Sequence, residues 1–184
     1  GVLIYQMPID KINEIMTSNH KWKEVGLGLS GETYIVGEDF TLRNQSRFLI
    51  EDKENYLKMI QEIGTPKEVV EQIENYNSAI GLQEVKTKGT EAALDGKTGA
   101  EIFEDYRGVP VLSAYKPLQI PGLKWVIMSE IDEAEAFEPV YSLRNKILMG
   151  FGLVIVLIII TSSIISRRLT APIKELSNDA MALA

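Results

Sequence analysis

The sequence predicts an α+β domain that continues into a long membrane-spanning helix. The first observation behind this prediction is the run 147–165, nineteen residues without a charge. As a helix it would cover about 28 Å, close to the ~30 Å apolar core of a bilayer. The second observation is the order of the other segments, since helical periodicity fills the middle of the chain and three β-rich runs follow it. A buried core helix is disfavoured, because such helices usually keep a polar stripe.

The first quarter of the chain predicts two short strands and one helix. The helix begins at Pro8, because apolar residues then recur every three or four positions. The strands are the β-rich runs 2–4 and 33–36, of which the second lies between two glycines. A glycine-rich stretch, 27–31, leads into the second strand, and a polar connection, 39–47, follows it.

Two helices are predicted in the middle of the chain. The first begins near Asp52 and ends at a Gly-Thr-Pro sequence. Thr65 is the expected N-cap of the second helix, with Pro66 at its first position and Glu68 three residues further on. The stretch 89–99 is expected to form a loop or a short helix.

Three β-rich runs complete the domain and predict an antiparallel meander, because close turns at 107–108 and 121–122 separate them. The expected strands are 100–106, 109–118 and 124–131. Asp132 is expected to cap a helix that continues into the membrane, with a bend or a local break at Pro139.

Charge and composition exclude several classes of function. The segment before the apolar run holds 16 Lys and Arg and 24 Asp and Glu, a net charge of −8, which excludes nucleic acid as an expected partner. Cysteine is absent and His20 is the only histidine, so neither a metal nor a cofactor is expected. The segment contains no motif for a nucleophile or for paired catalytic carboxylates, so this fragment is not expected to be an enzyme.

The flanking basic residues predict the orientation of the span. Arg167, Arg168 and Lys174 follow the apolar run, whereas Arg144 and Lys146 precede it. This small excess predicts a cytoplasmic tail and an extracytoplasmic bulk in the cell (inner) membrane.

The tail has heptad spacing, which is typical of helices that pack against other helices. The apolar positions of this seam are Leu169, Ile173, Leu176, Ala180 and Leu183. A seam on a single tail needs partner helices, so we expect a homodimer that forms through the membrane and tail helices.

The tail also resembles the start of a HAMP domain. The similar sequence is RRLTAPIKEL at 167–176, with a basic pair at the membrane exit, then a proline, an aliphatic residue and a leucine. The resemblance covers about eighteen residues. It implies a signalling seam made of Leu169, Pro172, Ile173, Leu176, Ala180 and Leu183.

Residues 25–140 resemble the membrane-proximal module of a double Cache (PAS-like) sensor. The motifs are GLSGETYIVGED at 28–39, GVPVLSAY at 108–115 and LKWV at 123–126. Residues 1–16 are similar to the last strand and exit helix of the membrane-distal module. The resemblance implies a PAS-like antiparallel sheet with flanking helices, as in bacterial chemoreceptors, histidine kinases and adenylate or guanylate cyclases.

The resemblance implies five segments. These are the end of the distal module with its connecting helix (1–24), the proximal module (25–132), a juxtamembrane helix (133–146), the transmembrane helix (147–165) and a truncated first HAMP helix (166–184). Such a fragment would sense a ligand outside the cell. It would pass the conformational change through the membrane helix to HAMP and a downstream cyclase, chemotaxis or kinase domain.

Six side chains are candidates for contact with a small-molecule ligand: Tyr34, Arg43, Arg47, Tyr115, Trp125 and Asp132. Arginines suit a ligand carboxylate, aromatic rings with polar tips suit pocket walls, and an aspartate suits an amino group. The expected ligand is therefore an amino acid or a carboxylate. Structural roles stay open for all six, namely salt bridges for the arginines, core packing for the aromatic residues and a helix cap for Asp132.

Gly26, Gly28 and Gly31 match the pattern G-x-G-x-x-G. A dinucleotide site needs a strand before this pattern and a helix after it, but here a strand follows. The glycines are therefore interpreted as a tight entry to that strand. Two alternatives to a sensor stay open, a membrane-anchored extracytoplasmic enzyme and an assembly module without a ligand.

Overall fold

The computed structural model describes residues 9–170 of the 184-residue chain. The expected strand 2–4 and the seam positions beyond Thr170 lie outside the described residues. The chain divides into two units, with the boundary after Phe137. The elements in chain order are α1 (Ile9–Met16), a 3-10 turn (Ser18–His20), β1 (Glu32–Val36), α2 (Arg47–Glu51), α3 (Lys53–Glu62), α4 (Lys67–Tyr76), α5 (Lys88–Leu94), β2 (Gly99–Glu104), β3 (Pro110–Ile120), β4 (Leu123–Asp132), α6 (Glu133–Ile165) and a π-helical turn (Ser166–Thr170).

The four strands of the first unit form one antiparallel sheet in the order β1–β4–β3–β2. The last three strands are consecutive neighbours, which confirms the predicted meander. β1 pairs with the free side of β4, so the earliest strand lies beside the latest one. Together with helices α1 to α5, this sheet confirms the predicted α+β class.

The hairpin of β3 and β4 is longer than the strands beside it. β3 has 11 residues and β4 has 10, whereas β1 has 5 and β2 has 6. β1 reaches only as far as Val126, and β2 only as far as Tyr115. Between Val126 and the turn at 121–122, the hairpin is therefore a two-stranded ribbon within the described chain.

One face of the sheet carries the hydrophobic core. Alternate residues of a strand point to the same face, and Tyr34 and Val36 of β1 share their face with Val126 and Met128 of β4. Helices α3, α4 and α5 add further buried residues to the same cluster, namely Tyr56, Ile60, Val70, Ile73 and Ala93. The opposite face leaves Ile102 exposed by 48%. The helices therefore cover one side of the sheet.

The structure corrects two sequence predictions about helix boundaries. Thr65 is not the N-cap of α4, because Pro66 has the extended ψ of 137° that belongs to a cap residue, and the helix begins at Lys67. The expected local break at Pro139 does not occur, since α6 is continuous from Glu133 to Ile165. A proline removes one backbone hydrogen bond and crowds the carbonyl four residues before it, but the residues on both sides of Pro139 stay helical.

Replacing Thr87 by alanine is expected to lower the free energy of unfolding by about 1 kcal/mol. Thr87 caps α5, because its hydroxyl accepts from the backbone N–H of Thr90 at 3.3 Å while the Thr90 hydroxyl accepts from the N–H of Thr87 at 2.9 Å. Urea unfolding of the detergent-solubilised chain measures the change. The matched control is Thr65→Ala, which removes no cap and should stay within roughly 0.5 kcal/mol. An equal loss in both variants would contradict the capping role.

The second unit begins inside α6, and the run 147–165 is helical as predicted. Within residues 9–170, one helical stretch, Glu133–Arg168, is long and apolar enough to cross a membrane by length and composition. Its most apolar window has a mean hydropathy of 2.7, and none of that window is buried. An apolar window that stays unburied among the described residues fits a lipid environment.

Candidate functional site

A group of buried polar side chains lies at the end of the sheet where β4 passes into α6. The chain brings this group together from strands β1, β3 and β4, from the start of α2 and from the turn after β2. We call it the buried polar cluster; its members are Glu32, Tyr34, Ser46, Arg47, Asp105, Tyr106, Arg107, Ser113 and Glu130. Buried polar groups cost free energy unless they are hydrogen-bonded, so the partners of each member decide what the cluster can do.

Glu130 is a buried carboxyl group with neutral hydrogen-bond donors. The hydroxyl of Tyr34 donates to its Oε2 at 2.7 Å, and the hydroxyl of Ser113 donates to its Oε1 at 2.8 Å. The pKa of Glu130 is raised to about 7, because the effects of burial and of the nearby charges of Asp105 and Glu32 outweigh the opposing effect of the two hydrogen bonds. Glu130 therefore titrates near neutral pH.

Glu32 lies directly opposite Glu130 in the register of β1 and β4. The hydroxyl of Tyr106 donates to its Oε2 at 2.7 Å, and the backbone N–H of Arg47 donates to its Oε1 at 2.5 Å. Burial also raises the pKa of Glu32. The side chains of directly opposed residues are neighbours on the sheet, so two acidic side chains lie next to one another in the interior.

Arg107 carries the positive charge at the margin of the cluster. Its Nε donates to Oδ2 of Asp105 at 2.6 Å, and its Nη2 donates to Oδ1 of Asp132 at 2.6 Å. Its guanidinium group lies 3.8 Å from the ring centroid of Phe48. Arg107 is thus committed to two aspartates and joins the turn after β2 to the last residue of β4.

Arg47, the first residue of α2, holds the loop before β1. We call residues 26–31 the glycine loop. The Nη1 of Arg47 donates to the carbonyl of Gly31 at 2.5 Å, and its Nη2 donates to the carbonyl of Gly28 at 3.2 Å. The guanidinium group also lies 4.8 Å from the ring centroid of Trp22. The same residue contacts Glu32 through its backbone and the glycine loop through its side chain.

Glu135, in the first turn of α6, binds the other side of the glycine loop. Its carboxylate accepts from the backbone N–H groups of Leu29 and Ser30, each at 2.8 Å, and from the Ser30 hydroxyl at 2.5 Å. These hydrogen bonds lower the pKa of Glu135, and the bond from the Leu29 N–H has the largest effect. The Ser30 Oγ also accepts from the N–H of Asp132 at 3.0 Å. We call Arg47, the glycine loop and Glu135 the loop latch.

Replacing Gly28 by alanine is expected to open the loop latch. Gly28 has a φ of +61°, and an added Cβ would collide with the Glu135 carboxylate. Gly26 is the matched control, because its φ is +87° but no atom lies within 4 Å of its added Cβ. Both alanines should lose roughly 1–2 kcal/mol to the positive φ, and Gly28→Ala about 1 kcal/mol more from the lost hydrogen bonds. Urea unfolding compares the two, and equal losses would contradict a tight contact.

A surface groove of about 660 Å³ borders the buried polar cluster at Asp105 and Tyr106. The charged side chains at its rim that belong to no ion pair in the described structure are Glu84, Lys86 and Glu104. Further inward the space is filled, since the rings of Tyr34 and Tyr106 pack edge to face with centroids 5.7 Å apart. Among residues 9–170, no group of His, Asp and Glu side chains is arranged to hold a metal ion.

The structure does not gather the six candidate ligand residues around one cavity. Tyr34 and Arg47 belong to the buried polar cluster, and Asp132 binds Arg107 at its margin. Asp132 directly precedes α6, which is the position that a helix cap requires. Its carboxylate, however, accepts a hydrogen bond from Arg107.

The other three candidates lie apart from the cluster. The hydroxyl of Tyr115 donates to Glu101 at 2.8 Å. Arg43 forms an ion pair with Asp39 at 2.7 Å and lies 5.9 Å from the ring centroid of Trp125. Arg43 therefore forms a salt bridge, which is the structural role that the sequence analysis gave as the alternative to ligand contact. Ligand contact by any of the six residues stays a prediction.

The sequence interpretation missed both carboxyl groups at the centre of the cluster. Strand alternation was a sufficient signal, since Glu32 is two residues from the core position Tyr34, and Glu130 is two residues from Met128. Glu135 gave no such signal, because its partners are backbone groups and a hydroxyl of a loop about 105 residues earlier in the chain.

No family model matches the chain, and no curated protein matches it. Among solved structures, the chain is similar to the ligand-binding domain of the Pseudomonas aeruginosa PAO1 amino acid chemoreceptor PctB, in complex with L-Arg. The sequence identity is 16% and the TM-score is 0.36. The alignment covers 76% of this chain and 41% of that chain, so this chain spans less than half the length of that domain.

Proposed function

We propose that this chain is the extracytoplasmic sensing and transmembrane signalling part of a bacterial receptor. In this proposal residues 25–132 are a membrane-proximal Cache module, α6 crosses the bilayer, and residues 166–184 begin a cytoplasmic HAMP domain. The receptor works as a homodimer, and its output domain is a cyclase, a chemotaxis domain or a kinase.

The observation that carries the proposal is the loop latch. Arg47 joins the glycine loop to the interior of the domain, and Glu135 joins the same loop to the first turn of α6. That helix contains the apolar run 147–165. A change in the interior therefore alters the hydrogen bonds at the base of the apolar helix. Such a change transmits a signal when the stimulus binds one arrangement better than the other.

The first experiment tests the membrane crossing. The chain has no cysteine, so a single introduced cysteine is a unique label site. In intact cells, an impermeant maleimide should label Ser142→Cys, whereas Ser166→Cys should react only after the membrane is opened. Labelling of both positions from the same side would exclude the proposal.

The surface groove beside the cluster is the proposed entry point for a small ligand. Titration calorimetry of the detergent-solubilised chain against the twenty amino acids and short carboxylic acids tests for binding. Thr65 lines the groove and Glu68 does not, so Thr65→Trp should abolish the binding and Glu68→Trp should leave it intact. Equal binding by both variants would move the ligand site elsewhere.

One observation favours a second candidate function, a relay module without its own small-molecule ligand. The space between sheet and helices is filled by side chains, with Tyr34, Tyr56 and Met128 all at 1% exposure or less. A relay of this kind would still use the loop latch and the apolar helix. Calorimetry without heat from any compound, combined with opposite labelling of the two cysteines, would favour the relay over the ligand sensor.

A further inference from the structure

Glu32 and Glu130 form an unusual pair, because two buried acids face one another across a strand ladder. Glu32 is 3% exposed and Glu130 is 4% exposed. Their hydrogen-bond donors in the described structure are neutral: two tyrosine hydroxyls, one serine hydroxyl and one backbone N–H. Like charges at close range in a low-dielectric interior disfavour double ionisation, so such a pair tends to keep one proton.

Other titratable and charged groups lie on the elements packed around the pair. Those of the sheet and its turn are Tyr34 (β1), Glu101 (β2), Asp105, Tyr106 and Arg107 (the turn after β2), and Asp132 (β4). Those of the helices are Arg47 and Glu51 (α2), Tyr56 (α3), and the exposed Lys88 and Glu91 (α5). Arg107 is bound to Asp105 and Asp132, and the Arg47 guanidinium is directed to loop carbonyls. Neither arginine forms a salt bridge with Glu32 or Glu130.

We propose that the Glu32–Glu130 pair is a proton-binding site, and that its occupancy controls the loop latch. The inference rests on the proposed signalling function and names the proton as one stimulus of the same module. With one proton bound, the carboxyl groups remain side by side. When the proton leaves, repulsion acts on Glu32, which holds the backbone of Arg47. Displacement of Arg47 withdraws its hydrogen bonds from the glycine loop and so loosens the contact with Glu135.

The experiment uses the whole chain in lipid nanodiscs and measures one distance inside the first unit. Nitroxide labels at Leu29→Cys and Ala134→Cys, both exposed positions, report the separation of the glycine loop from the first turn of α6. We expect one narrow distance distribution at pH 5 and a longer or broader one at pH 8. Glu130→Gln should keep the narrow distribution at both pH values. The matched control Glu101→Gln, an exposed acid bound to Tyr115, should behave like the unmutated chain.

A second variant tests the same inference if the Glu130→Gln protein does not fold. Ser113→Ala removes one donor to the Glu130 carboxylate and leaves the acid in place. The midpoint of the distance change should then rise by about one pH unit, because the charged form loses a hydrogen bond. Infrared spectroscopy should show a protonated carboxyl band that titrates with the same midpoint and is absent in Glu130→Gln.

Two results would overturn the inference. One is a distance distribution that does not change between pH 5 and pH 8. The other is a change that persists in Glu130→Gln. A pH-dependent latch in a chain whose two cysteine sites, Ser142→Cys and Ser166→Cys, label from the same side would uphold the proton site and exclude only the transmembrane proposal.

Discussion

Replacing Arg47 by alanine is expected to lower the free energy of unfolding of the first unit by about 3–4 kcal/mol. The side chain is 2% exposed and donates to the carbonyls of Gly28 and Gly31. Alanine would leave these acceptors without their charged donor and would uncover one side of Trp22. Urea unfolding of the detergent-solubilised chain, followed by tryptophan fluorescence, measures the loss.

Arg43 provides the control for Arg47. Arg43 pairs with Asp39 as Arg47 pairs with Glu51 at 3.1 Å, but the side chain of Arg43 is 20% exposed, whereas that of Arg47 is 2% exposed. Exposed ion pairs contribute little, so Arg43→Ala should lose about 1 kcal/mol or less. Arg47→Lys should fall between the two, because lysine keeps the charge but not the planar fork. Similar losses for both alanine variants would show that the contacts of Arg47 with the glycine loop do not stabilise the domain.

The free energy of unfolding is expected to fall by roughly 3 kcal/mol as the pH rises from about 4.5 to about 7, because of Glu130. Its ordinary pKa of 4.5 applies to the unfolded chain, and burial raises the pKa of the folded form to about 7. Between these values the folded state binds more protons than the unfolded state, so stability decreases with rising pH. Burial raises the pKa of Glu32 as well, so Glu32 contributes with the same sign.

Glu130→Gln should remove the contribution of Glu130 to this dependence, roughly 3 kcal/mol, whereas Glu101→Gln should not. Glu135 and Asp39 act in the opposite direction, because their pKa values are lowered in the folded state. Their contributions are present above the ordinary values and are lost as the pH falls through the folded ones. Unfolding curves at pH 4, 5, 6, 7 and 8 therefore should show greatest stability near pH 5. A stability that rises steadily to pH 8 would contradict the assignment to Glu130.

Most of the secondary structure could be predicted from the sequence, because its signals are local. The turns at 107–108 and 121–122 defined the meander, and periodicity defined α1, α3 and α4. The five-residue helix α2 was missed because it is shorter than two turns and gives no periodic signal. Thr65 has a side chain that is typical of a helix cap, but the helix begins one residue later than this side chain predicts.

The candidate site could be predicted only in part. Arg47 and Tyr34 were identified from residue type and a family resemblance, and both belong to the buried polar cluster. Their partners depend on the pairing of β1 with β4, which joins residues 98 positions apart, Glu32 and Glu130. No local pattern encodes that register, so the opposed carboxyl groups became visible only in three dimensions.

The hairpin of β3 and β4 offers a practical site for protein engineering. Its tip at Pro121 and Gly122 projects past both flanking strands, at the opposite end of the sheet from Glu130. Exposed loop tips tolerate foreign sequence because few backbone hydrogen bonds depend on them. A fluorescent protein or an epitope inserted there would report expression while the acidic interior and the exit toward α6 keep their native chemistry.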